Sequence, residues 1–218
     1  MVAHVARSSD DCRALTLART RLAALATAAA LPWLLAACGG GPPPSTGVVP
    51  EAMPAPRIET LDEPTYLRFR MLMVPVLGVV PAEVHDSYLD ERSGGRVHHA
   101  VDILAPRGTP VLAADDGRVL RLRRNELGGI TIYAVDPTER YVYYYAHLDH
   151  YAQSLSEGAV VGKGQVIGYV GTTGDAPRDT PHLHFQIMRR TGGVRWWDGE
   201  PLDPTPYLSL PGRVLSGR

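Results

Sequence analysis

From Val76 onward, apolar and polar residues are arranged in short blocks of strand character separated by turn residues. Asp116-Gly117 is a tight-turn dipeptide, and Arg118-Val119-Leu120-Arg121-Leu122 after it reads as an alternating strand. Gly128-Gly129 precedes Ile130-Thr131-Ile132-Tyr133, and Asp136-Pro137 turns the chain into Tyr141-Val142-Tyr143-Tyr144-Tyr145. Gly168 to Gly174 forms another glycine-rich connection. No run of twelve residues in this region carries a helical apolar stripe. Upstream, Tyr66 to Val74 is apolar with mixed periodicity, and strand and short helix both remain open there. Short strands between Gly, Asp-Gly and Pro turns predict an all-β, antiparallel architecture in a single domain.

Period-two alternation also sorts the polar residues by face. It sends His182, His184 and Gln186 one way and Leu183, Phe185 and Ile187 the other, into a core. The same parity groups His98, Ala100 and Asp102 against Val101 and Ile103, and it selects His98 rather than His99 as the partner of Asp102. That selection assumes regular alternation across 98–102, which a bulge would break. A lone strand histidine is usually a hydrogen-bonded or solvated residue. Here, however, six of the eight histidines lie between His98 and His184. Imidazoles and a carboxylate on the polar faces of two short strands suit Zn²⁺, which as a catalytic ion takes three protein ligands and keeps one position for water.

Residues 13–38 form a separate unit. Arg13, Arg19 and Arg21 supply a positive start, Leu22 to Leu35 an apolar stretch too short for a membrane-spanning helix. Leu35-Ala36-Ala37-Cys38 resembles the bacterial lipobox, in which Cys38 is lipidated and becomes the new N-terminus. The plain alternative is a signal peptide with an incidental cysteine, but Gly39 to Pro44 then begins a Pro/Gly tether. The expected organisation is a lipoprotein signal peptide over 1–37, a lipidated Cys38 with flexible tether to residue 60, and a domain over 61–218 with its core at about 75–208. Of the two cysteines, Cys12 falls in the removed segment, so the mature domain has neither disulfide nor thiolate ligand. The whole chain carries a net charge of −1, and removing the four Arg and two Asp of residues 1–37 leaves −3. That balance gives no reason to expect nucleic acid as a partner.

His98-x-x-x-Asp102, then Tyr145-Ala146-His147-Leu148, then Pro181-His182-Leu183-His184-Phe185 resembles the lysostaphin/LytM-type zinc metallopeptidases, which cleave peptidoglycan cross-bridges. The segments Asp102 to Val111, Ala114 to Val119 and Gly162 to Gly168 are similar to the connecting stretches of that family, and the motifs keep its order. The likeness covers about residues 75–208. Ala100 stands where many members have Gly, and Gln186 where Glu is common.

The resemblance implies a two-sheet, open barrel-like β-sandwich with zinc on the floor of a groove. It implies His98, Asp102 and His184 as zinc ligands, and His147 and His182 as active-site histidines that orient water, move protons and stabilise the oxyanion. No His-Glu-x-x-His, Gly-x-Ser-x-Gly or retained thiol competes for the chemistry. The expected activity is peptidoglycan endopeptidase, with D-Ala–diaminopimelate bridges as the D,D-substrate. The expected location is the bacterial envelope, as a monomer anchored by lipid and facing the periplasm. Gly39, where an inner-membrane retention signal would have Asp, favours the outer membrane. The alternative is a non-catalytic LytM-like lipoprotein that regulates cell-wall amidases, a role tied in that family to loss of zinc ligands.

Other residues have plainer readings. Tyr141, Tyr143 and Tyr145 are packed strand aromatics, or one of them lines the groove on the parity of His147. Trp196-Trp197 is a rim contact or a packed hairpin. His85 and His150 are expected in solvent, and Lys163 and Arg178 as loop charges. Residues 60–75 could lie across the groove.

Overall fold

The computed structural model describes residues 60–192 and 199–215. The segments expected as signal peptide, lipidated Cys38 and tether lie outside the described residues, as do Trp196 and Trp197. The undecided stretch at 66–74 is both helix and strand. Helix α1 (Glu63–Arg70) follows Asp62, carries Glu63 in its first turn and Arg68 and Arg70 in its last, and so matches the helix dipole at both ends. It stops at Met71, which takes a left-handed φ of 48°, and β1 (Leu72–Met73) begins at once. Tyr66, Leu67 and Leu72 are completely buried in the main core.

A small hairpin follows, made of β2 (Glu91–Arg92) and β3 (Arg96–Val97), both exposed. Nine strands then form one hydrogen-bonded sheet: β4 (Val101–Leu104), β5 (Pro110–Leu112), β6 (Gly117–Asn125), β7 (Gly129–Val135), β8 (Tyr141–Tyr151), β9 (Val160–Val161), β10 (Val166–Val170), β11 (His182–Arg189) and β12 (Glu200–Leu202). Finally β13 (Leu208–Leu210) pairs with β1 in parallel. All pairings within the nine-stranded sheet are antiparallel, as the turn-punctuated pattern predicts. The sheet forks at β8, an eleven-residue strand. Its first six residues pair with β11, while Leu148, His150 and Tyr151 pair with β10.

The strand expected at 118–122 exists but does not alternate cleanly. Its register against β7 shifts between Val119 and Arg121, and among residues 118–122 only Val119 is buried. In β11 the inward set is complete, with Leu183, Phe185 and Ile187 0% exposed, while on the opposite face His184 and Gln186 are half-buried and His182 and Met188 are buried at the ends. Full burial of each such side chain contributes about 1.5–3 kcal/mol, which clamps the strand to the core and fixes the direction of the histidines between them. Val101 and Ile103 anchor β4 in the same way. Residues 60–75 do not cover the groove: Tyr66 donates to Asp136 (2.5 Å) and Arg70 to Asp115 (2.7 Å), on elements that do not border it.

Candidate metal centre and groove

Strand pairing alone puts three site residues in one row. Antiparallel β4 and β11 set Asp102 opposite His184, and β8 sets Ala146 on the other side of His184. His98 reaches the row by a different route than parity. Residues 98–100 are not strand, and His99 takes a left-handed φ of 55°. The regular alternation assumed across 98–102 is therefore absent, although the choice of His98 agrees with the geometry. Backbone bonds from His98 N to Asp90 O and His99 N to Tyr88 O (both 2.9 Å) bend this segment so that the His98 ring swings inward. His99 instead lies against Tyr88.

His98 Nε2, His184 Nδ1 and Asp102 Oδ1 converge. The two nitrogens are 2.9 Å apart, and Oδ1 lies 3.0 Å from the first and 3.2 Å from the second. His98 Nδ1 donates to the Ser87 carbonyl at 2.9 Å, which leaves Nε2 as a bare lone pair. Asp102 Oδ1 is buried with no hydrogen bond directed at it. Three acceptor atoms meeting in a half-buried space repel one another unless a cation lies between them, so the donor set fits a divalent metal of the N/O type. The other carboxylate oxygen, Oδ2, accepts from Arg92 on β2, and the Asp102 amide donates to Ser87 Oγ at 3.2 Å. Burial keeps His184 below its ordinary value, against the pull of Asp102.

Two further histidines border the cluster. His182 Nδ1 donates to the Thr180 carbonyl and His147 Nδ1 to the Thr173 carbonyl, each at 2.8 Å. Each ring therefore turns its Nε2 away from its backbone partner. That of His182 stands 3.8 Å from Asp102 Oδ1, and the rings of His147 and His182 are 4.9 Å apart. Burial pushes the His147 imidazole down to about 4, partly offset by the Thr173 carbonyl and reinforced by His184 and His182.

His147 owes its position to a bulge. Between Ile130–Leu148 and Ile132–Tyr145, three steps along β8 oppose two along β7, and His147 itself sits at a left-handed φ of 60°. The bulge changes the parity. Tyr141, Tyr143 and Tyr145 point into the core at 0–1% exposure, so none of them lines the groove. Tyr144 does, together with Ala146 and His147. A close approach of Gly129 and Gly174, both at positive φ, makes room for the arrangement. The groove encloses about 540 Å³, with Arg92, Arg96 and Val97 of the hairpin on one side and Leu127, Asp175 and Ala176 on another.

Thus His98, Asp102, His147, His182 and His184 all meet in one place. Sequence reasoning missed Tyr144 and Arg92, and the carbonyls of Ser87, Thr173 and Thr180. Tyr144 could be found only by counting through the bulge, and backbone carbonyls leave no signature in residue type. Ala100 is fully buried, and Gln186 stands outside the cluster. His85 is exposed as expected; His150 is exposed too but bonded to Asp149 (2.8 Å) and stacked on Tyr169. Lys163 is not a free loop charge. It pairs with buried Asp115 at 3.3 Å and donates to the Arg70 and Met71 carbonyls.

An antiparallel β-fold with a histidine–carboxylate donor set on the floor of an open groove is the architecture of a metal-dependent enzyme. Residues 96–204 match the model of Peptidase family M23, half of the chain, and the protein belongs to that family. The L-Ala--D-Glu endopeptidase of Bacillus subtilis is 37% identical over 120 residues, 53% of this chain and 35% of that protein. The DD-carboxypeptidase/endopeptidase Mpg of Neisseria meningitidis serogroup B is 36% identical over 117 residues, 53% of this chain and 24% of its own length. The chain thus spans about a third or less of these relatives. Among solved structures, a putative glycyl-glycine endopeptidase lytM from Ruminococcus gnavus aligns with a TM-score of 0.55 at 26% identity, covering 68% of this chain and 66% of that one.

Proposed function

We propose that the protein is a zinc-dependent endopeptidase that hydrolyses peptide cross-links in bacterial peptidoglycan. The observation that carries this reading is the convergence of His98 Nε2 and His184 Nδ1 on the orphaned oxygen Asp102 Oδ1, beside two histidines whose Nδ1 atoms are held by backbone carbonyls. A zinc ion held by those three atoms would supply Lewis acidity towards a peptide carbonyl and lower the pKa of water. The chain's own residues account for the remaining steps. His147, neutral well below pH 7, and His182 are placed to take a proton from the attacking water and return it to the leaving amine. Once protonated, either imidazole offsets negative charge developing on the carbonyl oxygen. The Ser87, Thr173 and Thr180 carbonyls hold the rings in the orientation that leaves Nε2 bare.

The names of the relatives support a peptidoglycan peptide as substrate, and among its bonds we assign the D-Ala–diaminopimelate bridge. The resemblance of Leu35 to Cys38 to a lipobox supports a monomeric lipoprotein whose Cys38 anchors it in the envelope, facing the periplasm, with Gly39 favouring the outer membrane. A purely regulatory role is disfavoured because every donor of the cluster is present. The test is zinc content and digestion of cross-linked muropeptides. His147→Ala and His182→Ala should each retain zinc and lose about 10²–10⁴-fold in turnover, and EDTA should abolish activity of the parent. Retained turnover in both variants would refute the assigned roles.

A further inference from the structure

Past Ala176 the groove adjoins a second cleft of about 450 Å³, bordered by Arg107, Arg124, Arg178, Thr172 and Thr173. Ala176 lines both spaces. Among the described residues no acidic side chain lines this cleft, the nearest being Asp149, which is paired with Arg107. Arg107 donates to Asp149 at 2.6 Å. Arg124 and Arg178 are exposed and make no ion pair among the described residues. In a chain of net charge −1, three guanidinium groups on one concavity are a local feature and not the result of a basic surface.

The cleft is also mechanically joined to the site. Thr173 accepts from His147 Nδ1 through its carbonyl, while its hydroxyl donates to Leu148 O (2.7 Å) and accepts from Ile130 N (2.9 Å). A ligand held by Arg124, Arg178 and Thr172 would rest on the same segment that orients His147.

We propose that this cleft is a subsite for a free carboxylate branching from the substrate peptide near the bond that is cut. The inference rests on the endopeptidase reading and deepens it. Guanidinium groups pair with carboxylates through two parallel hydrogen bonds, and the two unpaired arginines are available for that geometry. A peptide stem with a γ-linked D-glutamyl residue or diaminopimelate carries such carboxylates, whereas a glycine bridge has none to place there. The subsite therefore selects anionic stems over neutral bridges.

Binding tests this without turnover. The probe is the dipeptide γ-D-Glu–meso-diaminopimelate, which contains neither an L-Ala–D-Glu nor a D-Ala–diaminopimelate bond, titrated calorimetrically into the full-length zinc-loaded protein beside its fully amidated form. The acid form should bind about tenfold more tightly than the amide, the effect of one charge-assisted pair. Arg124→Gln with Arg178→Gln should bring the ratio to within about twofold while zinc content stays at the parent value. Arg178→Glu, a single change at an exposed position, should reverse the preference. Equal binding of acid and amide by the parent, or an undiminished ratio in both variants, would overturn the subsite. Failure to cut muropeptides beside a normal acid preference would refute the endopeptidase reading alone.

Discussion

Gly129 offers a way to disable His147 without touching it. This residue sits at φ +65°, and a Cβ there would fall 2.2 Å from Thr173 Oγ1, 2.3 Å from the Thr173 carbonyl carbon and 2.5 Å from Gly174 N. Ordinary van der Waals contact needs about 1 Å more, and two of the three obstacles are backbone, which cannot rotate away. The 173–174 segment must therefore retreat by about 1 Å, taking with it the carbonyl that holds His147 Nδ1. Gly129→Ala should cost about 1–2 kcal/mol for the left-handed conformation and about 1–3 kcal/mol for the steric conflict. A displacement of about 1 Å near a reacting group lowers turnover by about 10²-fold. The metal trio lies on other segments, so zinc content should not change. Gly158→Ala is the control. Gly158 has φ +84° with nothing within 4 Å of a Cβ, so it should show the conformational cost alone and full activity. Urea unfolding, zinc analysis and muropeptide turnover on both variants decide the matter. Parent-level turnover in Gly129→Ala, or an equal loss in Gly158→Ala, would refute the role given to the Thr173 carbonyl.

Three further outcomes are expected. His98→Ala should purify without zinc, while His99→Ala, at a half-buried left-handed position against Tyr88, should keep zinc and lose about 1 kcal/mol of stability; a metal-free His99→Ala beside a zinc-loaded His98→Ala would reverse the assignment. In EDTA, the folded-state value of about 4 for His147 lies below the unfolded value of 6.5, so the unfolded chain takes up the proton first and stability falls as pH drops from about 7 to 4. The loss is about 3 kcal/mol, and His147→Gln should flatten that part of the profile in urea titrations; an unchanged slope would contradict the burial of a neutral ring. Cys38→Ser should release the protein from the membrane fraction with muropeptide turnover intact, and unchanged membrane association would sink the lipid anchor.

What the amino-acid pattern determines here is local and periodic. Leu183, Phe185 and Ile187 leave β11 one way to lie, because burying them stabilises that face by several kcal/mol, and His182 and His184 follow on the other. Val101 and Ile103 do the same for Asp102. Turn dipeptides mark where β7 and β8 begin, and the order of the histidine motifs points to the peptidase family before any coordinate is known. Tertiary structure decided whatever depends on a break in period. His98 faces Asp102 because His99 adopts a left-handed φ and the preceding loop is tied to Tyr88 and Asp90, not because a strand alternates there. Tyr144 replaces its odd-numbered neighbours in the groove because a bulge at His147 inserts one residue, and nothing in the Tyr run encodes that step. Protonation was equally hidden. Which nitrogen of each ring is bare depends on carbonyls of Ser87, Thr173 and Thr180, groups that every residue carries and that acquire meaning only when folding brings them within 3 Å of an imidazole.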